Sequence, residues 1–412
     1  MDQEETDSHP ALAGFDVEDN CLVIGGVPLS RLAARIGSTP FFAYDRARLT
    51  RRIDELRSHL PKGVRLNYAI KANPMPAVVQ HLSGLVDGFD VASANEMQVA
   101  LDTPMPAARI SFAGPGKTPE ELTQAIAAGI VLNLESEGEM RCVASLAEKL
   151  GCRPRVAIRV NPDFSLKASG MRMGGGPQQF GVDVERVPDM LGELKSLDLE
   201  FVGFHIFSGS QNLNADILCD VQEKTVNLAL SLAQHAPSSL RHLNLGGGFG
   251  IPYFQNDRPL DLKKVGDNLE TLLPKLQAAL PEVEPIIELG RFIVGEAGIY
   301  VTKIVDRKPS RGQVFLVTDG GLNHHLAASG NFGQVIRRNY PVAIGNRMDS
   351  LTSEEVNIVG CLCTPLDLLA NNVCLPKATI GDLVVIFQSG AYGPTASPAG
   401  FLSHPACREV LI

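Results

Sequence analysis

Between residues 65 and 290 the chain alternates short apolar runs with longer stretches in which apolar positions recur every three or four residues. The runs 66–71, 88–93, 110–114, 130–135, 156–161, 201–207, 242–247 and 286–290 predict buried strands. The stretches 119–128, 137–150, 215–234 and 262–280 predict amphipathic helices between them. Buried strands alternating with amphipathic helices imply a parallel sheet. Eight such units over about 250 residues fit a closed (β/α)8 TIM barrel. A doubly wound open sheet is the alternative, because periodicity does not report closure.

After about residue 295 the pattern changes. The runs 300–305, 313–318, 356–361 and 382–387 are strand-like and are separated by Gly, Pro and Asn clusters without long helices, which predicts a C-terminal antiparallel β-domain. Residues 21–24 and 40–43 are short strand candidates expected to pack against that domain. The expected organisation is an N-terminal segment 1–44, a barrel 45–295 and a β-domain 296–412. The glycine-rich stretch 163–181 reads as a long loop over the barrel mouth.

Composition narrows the function classes. The 412 residues exceed one ordinary core, and a formal net charge of −9 argues against a nucleic acid or an anionic membrane as the main partner. No stretch approaches the about 18 apolar residues of a membrane span. The start Met1-Asp2-Gln3-Glu4-Glu5 lacks the basic and apolar regions of a signal peptide. A cytoplasmic location is expected. The eight cysteines are scattered, as reduced thiols are, and the Cys361–Cys363 pair has no second pair at zinc-finger spacing, so no metal site is expected.

In a barrel of this kind active sites gather at the C-terminal ends of the strands. Lys71 ends the first expected strand, Asp90 and Ser93 lie near the end of the second, Arg159 and Asn161 end the fifth, and His205 ends the sixth. Gly246-Gly247-Gly248 ends the seventh and Glu288 nearly ends the eighth. Lys71, within Tyr68-Ala69-Ile70-Lys71-Ala72-Asn73, is expected to be buried. Desolvation would favour a neutral amine able to form a Schiff base with a carbonyl. A lone lysine more often carries its ammonium to the surface. The triglycine run can turn backbone amides toward an anion, and it is not the G-x-G-x-x-G dinucleotide fingerprint. A lysine for an aldehyde, an anion nest for a phosphate, a flat His205 for a ring and a Glu288 carboxylate for a pyridine nitrogen together describe pyridoxal 5′-phosphate.

With these motifs in this order, the chain resembles the fold type III, alanine racemase-like, pyridoxal phosphate-dependent amino-acid decarboxylases: the diaminopimelate, ornithine and arginine decarboxylase family. The resemblance spans about Thr39 to Pro405. It implies that Lys71 is the Schiff-base lysine with Asp90 nearby, that His205 stacks on the ring, and that Glu288 partners the pyridine nitrogen. Ser208, Gly246, Gly247, Gly248, Gly290, Arg291 and Tyr392 would hold the phosphate. Cys363-Thr364-Pro365-Leu366-Asp367 is similar to a block that, in relatives, enters the other subunit's active site, with Cys363 as candidate proton donor. Arg291 and Asp367 would bind substrate in a homodimer with shared active sites.

Three positions depart from the diaminopimelate pattern: Thr364 replaces a glutamate, and Ala327 and Asn331 stand where an arginine and a tyrosine bind the distal substrate groups. The pattern is similar to biosynthetic-cluster decarboxylases, including exosortase-associated members and those acting on carrier-tethered aminoacyl groups. Free diaminopimelate decarboxylation, a barrel-type racemase, a non-catalytic decarboxylase-like regulator and a nucleotide-binding α/β protein are the other readings. His324-His325 is a candidate new contribution to the substrate site.

Overall fold

A computed structural model describes residue 12 and residues 14–164, 171–172, 174–332, 334 and 336–412. The chain forms two compact units. One comprises Thr50–Ile251 and Pro259–Ile293; the other comprises the described residues as far as Leu49, together with Pro252–Arg258 and Val294–Ile412. The segment 252–258, inside the expected barrel range 45–295, groups with the second unit.

The first unit is a closed barrel. Its strands are β1 (Arg65–Ala69), β2 (Gly88–Val91), β3 (Ile110–Phe112), β4 (Val131–Leu134), β5 (Arg155–Asn161), β6 (Glu200–Ile206), β7 (His242–Asn244) and β8 (Glu284–Leu289). Each pairs in parallel with the next, and β8 pairs in parallel with β1, so the open-sheet alternative is excluded. Helices Pro119–Ala128, Glu137–Leu150, Ala215–Ala233 and Leu262–Ala279 lie between strands as the periodicity predicts. Thr118 and Glu121 close a capping box on the first of these, and Gly129 ends it in the left-handed region at φ 72°.

The strands end earlier than the apolar runs suggest. β1 stops at Ala69, and Ile70–Ala72 forms a 3-10 turn that carries Lys71; β7 stops at Asn244, before the glycines. The apolar run continues past the last sheet hydrogen bond because rim residues still pack on the barrel, as with Ile70, which is fully buried. Of the expected loop 163–181, residues 165–170 and 173 lie outside the described residues, and Met171–Arg172 pairs antiparallel with Gly209–Ser210.

The second unit corrects the antiparallel expectation: its sheet is mixed. Strand Gln313–Thr318 runs parallel to Ser353–Val359, and Phe41–Tyr44 runs parallel to Arg408–Leu411 while pairing antiparallel with Gly298–Ser310. The excursion from 319 to 352 lets the chain return in the same direction, as a parallel pair requires. Strand Leu368–Pro376 escapes the pattern because Asn371-Asn372 interrupts it, with Asn372 at φ 47°. Cys21, Leu22, Ile24, Leu29 and Leu32 share one core with Phe41, Ile299, Val301, Val385 and Phe387, so the N-terminal segment builds this unit.

Leu22 is fully buried in that core, and Leu22→Ala is expected to destabilise the protein by about 2–5 kcal/mol in urea unfolding, the range for buried leucine truncations. A loss below about 1 kcal/mol would show that the segment is not part of the core.

Candidate active site

Closure of β8 on β1 sets Lys71 against Glu288. Lys71 Nζ lies 3.6 Å from Glu288 Oε1, and its side chain is 38% exposed whereas that of Glu288 is 2% exposed. The expectation of a buried Lys71 is therefore corrected: the 3-10 turn lifts the ammonium off the strand, 5.8 Å from the centre of the Phe207 ring. Lys117, by contrast, has a buried side chain, 1% exposed, which pairs with Glu139 Oε1 at 2.7 Å and donates to Gly114 O.

Four strands supply the surroundings of Glu288. His205, in register with Asn244 and Arg159, places Nε2 3.1 Å from Glu288 Oε2, though out of line for a hydrogen bond. Asn244 Nδ2 donates to the same oxygen at 3.1 Å. Burial pushes the Glu288 carboxyl up, but the Lys71 charge and His205 outweigh it and hold the group well below the usual carboxylate range. Asp90 behaves oppositely. Burial and the Glu288 charge push its carboxyl well up, against the pull of Lys71 and of the Ser111 hydroxyl, which donates to Oδ1 at 2.7 Å. The two carboxyls are thus pushed in opposite directions, Glu288 down and Asp90 up, as expected when like charges share one site. Burial lowers the His205 pKa despite Glu288, which favours the neutral imidazole.

The triglycine loop is built against β8. Gly246 and Gly248 sit at φ 71° and 77°, and a Cβ on Gly247 would lie 2.1 Å from Glu288 O. Glu288 N donates to Gly246 O, while Gly246 N donates to Asn244 Oδ1 at 2.8 Å, which removes that amide from the expected anion nest. Ser208 Oγ, Ser210 Oγ and His205 Nδ1 are buried and have no hydrogen-bond partner among the described residues. At Gly290 a Cβ would come within 2.9 Å of Ala72 Cβ, so the end of β8 approaches the Lys71 turn closely, and Arg291 follows it.

Sequence reading did not identify Asn244, nor the ion network on the rim of β3, β4 and β5. Arg159 NH1 donates to Glu135 Oε1 at 2.8 Å, Glu135 also accepts from Gly114 N and Gly181 N, and Glu135 N donates to Glu139 Oε2. Repeated acidic residues just after strands, Glu135 and Glu139 among them, were the available signal.

The remaining expected site residues belong to the second unit. Cys363 is exposed, and Tyr392, at φ 53°, packs on Phe332 with ring centres 6.2 Å apart. Asp367, expected as a substrate ligand, is instead a loop anchor: it is 3% exposed, and its two oxygens accept from Leu322 N at 2.7 Å and Leu362 N at 2.8 Å. His324 and His325 are also structural. His325 accepts from Ala328 N and donates Nε2–H to Ser389 Oγ at 2.8 Å, among the rings of Phe42, Tyr300 and Tyr340; burial lowers its pKa to about 3. His324 donates Nε2–H to Pro405 O at 2.8 Å.

The barrel residues fit pyridoxal 5′-phosphate. Unpartnered Ser208 and Ser210 hydroxyls beside a glycine loop suit a phosphate, and a buried ionised Glu288 with a neutral His205 suits a protonated pyridine ring.

Comparison with known proteins agrees. The family model "Pyridoxal-dependent decarboxylase, pyridoxal binding domain" matches residues 46–295. L-glutamyl-[BtrI acyl-carrier protein] decarboxylase of Niallia circulans is 38% identical over 90% of this chain and 88% of its own. Diaminopimelate decarboxylase of Aquifex aeolicus is 33% identical over 97% and 92%. The crystal structure of Helicobacter pylori diaminopimelate decarboxylase complexed with L-lysine superimposes with a TM-score of 0.81 at 27% identity, covering 93% of this chain and 94% of that one. By motif, closed barrel and relatives, the chain belongs to the fold type III pyridoxal-dependent decarboxylases, enzymes that remove the carboxylate of an amino acid with pyridoxal 5′-phosphate.

Proposed function

We propose that this decarboxylase acts on an amino acid whose distal carboxyl is joined to a carrier protein, with its α-amine and α-carboxylate free. The observation that carries the reading is the uncharged segment at the positions where diaminopimelate enzymes hold the distal groups. Ala327 is 4% exposed, the Asn331 amide donates to Ser329 Oγ at 2.8 Å, and Thr364 replaces the glutamate. A carboxyl joined to a carrier has lost its charge and needs no arginine, whereas a free distal carboxylate left without its partner binds poorly. The relative from Niallia circulans, named for a glutamyl group on an acyl-carrier protein, supports this substrate class.

The resemblance and the geometry of the barrel rim support the following residue roles. Lys71 would hold the cofactor aldehyde through its amine, with Asp90 beside it. Glu288 would hold the ring nitrogen, and His205 would lie on the ring. Ser208, Gly247, Gly248, Gly290, Arg291 and Tyr392 would hold the phosphate; Gly246 shapes that loop with its own amide engaged by Asn244. When bound, pyridoxal 5′-phosphate supplies a ring that accepts the electron pair released as CO2 departs. In the free protein Lys71 and His205 hold the Glu288 carboxyl well below the usual carboxylate range against burial, so Glu288 would meet the ring nitrogen as a carboxylate. Arg291 is the candidate ligand for the substrate, and Cys363 the candidate donor that returns a proton to Cα.

The reading includes a homodimer in which Cys363 of one chain serves the barrel of the other. Cys363 is exposed beside the exposed apolar Leu366, 60% accessible, and Asn331 reaches Leu366 O next to the exposed Phe332. A cytoplasmic location fits the eight cysteines, none of which forms a disulfide. No described helix is long and apolar enough to cross a membrane.

Release of CO2 should be seen with glutamyl groups joined through the side-chain carboxyl to an acyl-carrier protein, and should be far slower with free diaminopimelate, lysine, ornithine, arginine or glutamate. Preference for free meso-diaminopimelate would overturn the substrate reading. Lys71→Ala should lose the visible cofactor band, and Cys363→Ala should lower kcat by about 100-fold or more, as for loss of a general acid. Mixing the two inactive variants should restore activity through hybrid dimers; no recovery would show that sites are not shared. The Asp90 carboxyl holds its proton more tightly in the folded than in the unfolded chain, so its contribution to stability falls as pH rises above the ordinary carboxyl range of about 4. Asp90→Asn should therefore match or exceed the wild-type Tm at pH 7 to 8, with the difference shrinking toward pH 4; a constant difference would refute the assignment.

A further inference from the structure

We infer that Asn244 is a positioning residue that ties the Glu288 carboxylate and the phosphate loop into one rigid unit, so that the two ends of the cofactor are held in a fixed relation. Asn244 is the last residue of β7 and is 5% exposed. Its Oδ1 accepts from Gly246 N at 2.8 Å, two residues on, in an Asx turn that takes the chain off the strand and into the glycines. Its Nδ2 donates to Glu288 Oε2 at 3.1 Å on the neighbouring strand. The backbone N–H of Gly246 settles the orientation of the amide. A flipped side chain would set NH2 against N–H and C=O against a carboxylate.

Two more contacts join the same parts. Glu288 N donates to Gly246 O at 2.9 Å, and Gly247 sits so close to Glu288 O that only glycine fits. The side-chain link differs from these backbone contacts because it fixes the carboxylate itself. Glu288 Oε1 faces Lys71 Nζ, and Oε2 lies between His205 Nε2 and Asn244 Nδ2. His205 is out of line for a hydrogen bond, and Asp90 is itself a carboxyl beside Glu288, so the amide is the aligned neutral donor that limits rotation of the carboxylate. Only a side chain that accepts and donates at once can make both bonds; asparagine does so at every pH, and an aspartate there does so only when protonated.

The inference rests on Glu288 as the partner of the ring nitrogen. The charged and titratable groups around Asn244 are Glu288, Asp90, His205 and Lys71 on the cofactor side, and Arg65, Arg109 and His242 around a void of about 20 Å3 that Asn244 also lines, with Glu284 paired to both arginines.

The test compares holoenzyme and apoenzyme of wild type, Asn244→Ala, Asn244→Asp and Glu288→Gln. The visible band of bound pyridoxal 5′-phosphate reports the ring, and its 31P chemical shift reports the phosphate. Asn244→Ala should weaken pyridoxal 5′-phosphate binding about tenfold or more and move both signals, as expected for loss of a hydrogen bond to a charged group. Asn244→Asp should resemble wild type at low pH and acquire a titration of both signals, absent from wild type, as the new carboxyl ionises beside Glu288. Movement of the 31P signal alone would reduce Asn244 to a loop residue, and overturn the inference. So would Asn244→Ala with wild-type signals, or an Asn244→Asp that lacks the new titration while apoprotein unfolding shows it folded. If Glu288→Gln leaves the visible band unchanged, the assignment of Glu288 fails instead, whatever Asn244 does.

Discussion

A carboxylate with 3% exposure is tolerated only where neighbouring groups replace the water it has lost, and around Glu288 those groups arrive from strands far apart in sequence. Lys71 follows β1, His205 lies on β6 and Asn244 ends β7, while Glu288 itself is on β8. Parallel pairing of β8 with β1 is therefore more than a packing detail: without closure, residues 71 and 288 could not approach to 3.6 Å. The opposite pKa shifts of Glu288 and Asp90 have the same origin, because one buried site beside one lysine charge supports one carboxylate better than two.

Polar residues on the barrel rim divide into those that are fully engaged and those that are not. Lys117, Glu139, Glu135 and Arg159 satisfy one another and the amides of Gly114 and Gly181, so their charges hold the loops after β3, β4 and β5 in place. Among the described residues, His205 Nδ1, Ser208 Oγ and Ser210 Oγ are buried without partners. Orphaned buried atoms carry a cost that a ligand can relieve. In the second unit the opposite holds for Asp367, His324 and His325, whose polar atoms are taken up by the protein's own backbone and hydroxyls. Residues that look like new chemistry in the sequence are there used to build the fold.

Much of the architecture was legible because the barrel strands and their helices carry strong periodic signals. Helices Pro119–Ala128 and Glu137–Leu150 match the pattern end to end. The second unit was harder to read. Parallel and antiparallel strands have the same side-chain alternation, so nothing local in Gln313–Thr318 or Ser353–Val359 reveals that they run in the same direction. Within the site, the motif residues Lys71, His205, Gly246 to Gly248 and Glu288 were visible as unusual residues at strand ends, and the structure gathers them. Asn244 was not visible, since an asparagine before glycines reads as an ordinary turn.

The sequence alone determined the alternation of strands and helices, the residue types at the rim and the chemistry those types can perform, since these depend on local periodicity and on side-chain structure. Tertiary structure alone decided that the Lys117 side chain is buried, at 1% exposure, while that of Lys71 is 38% exposed, and that the Asp90 carboxyl is pushed up while that of Glu288 is pushed down. Burial and pKa are properties of neighbours, and the neighbours of Lys71, Asp90 and Glu288 are brought together across more than 200 residues by closure of the barrel.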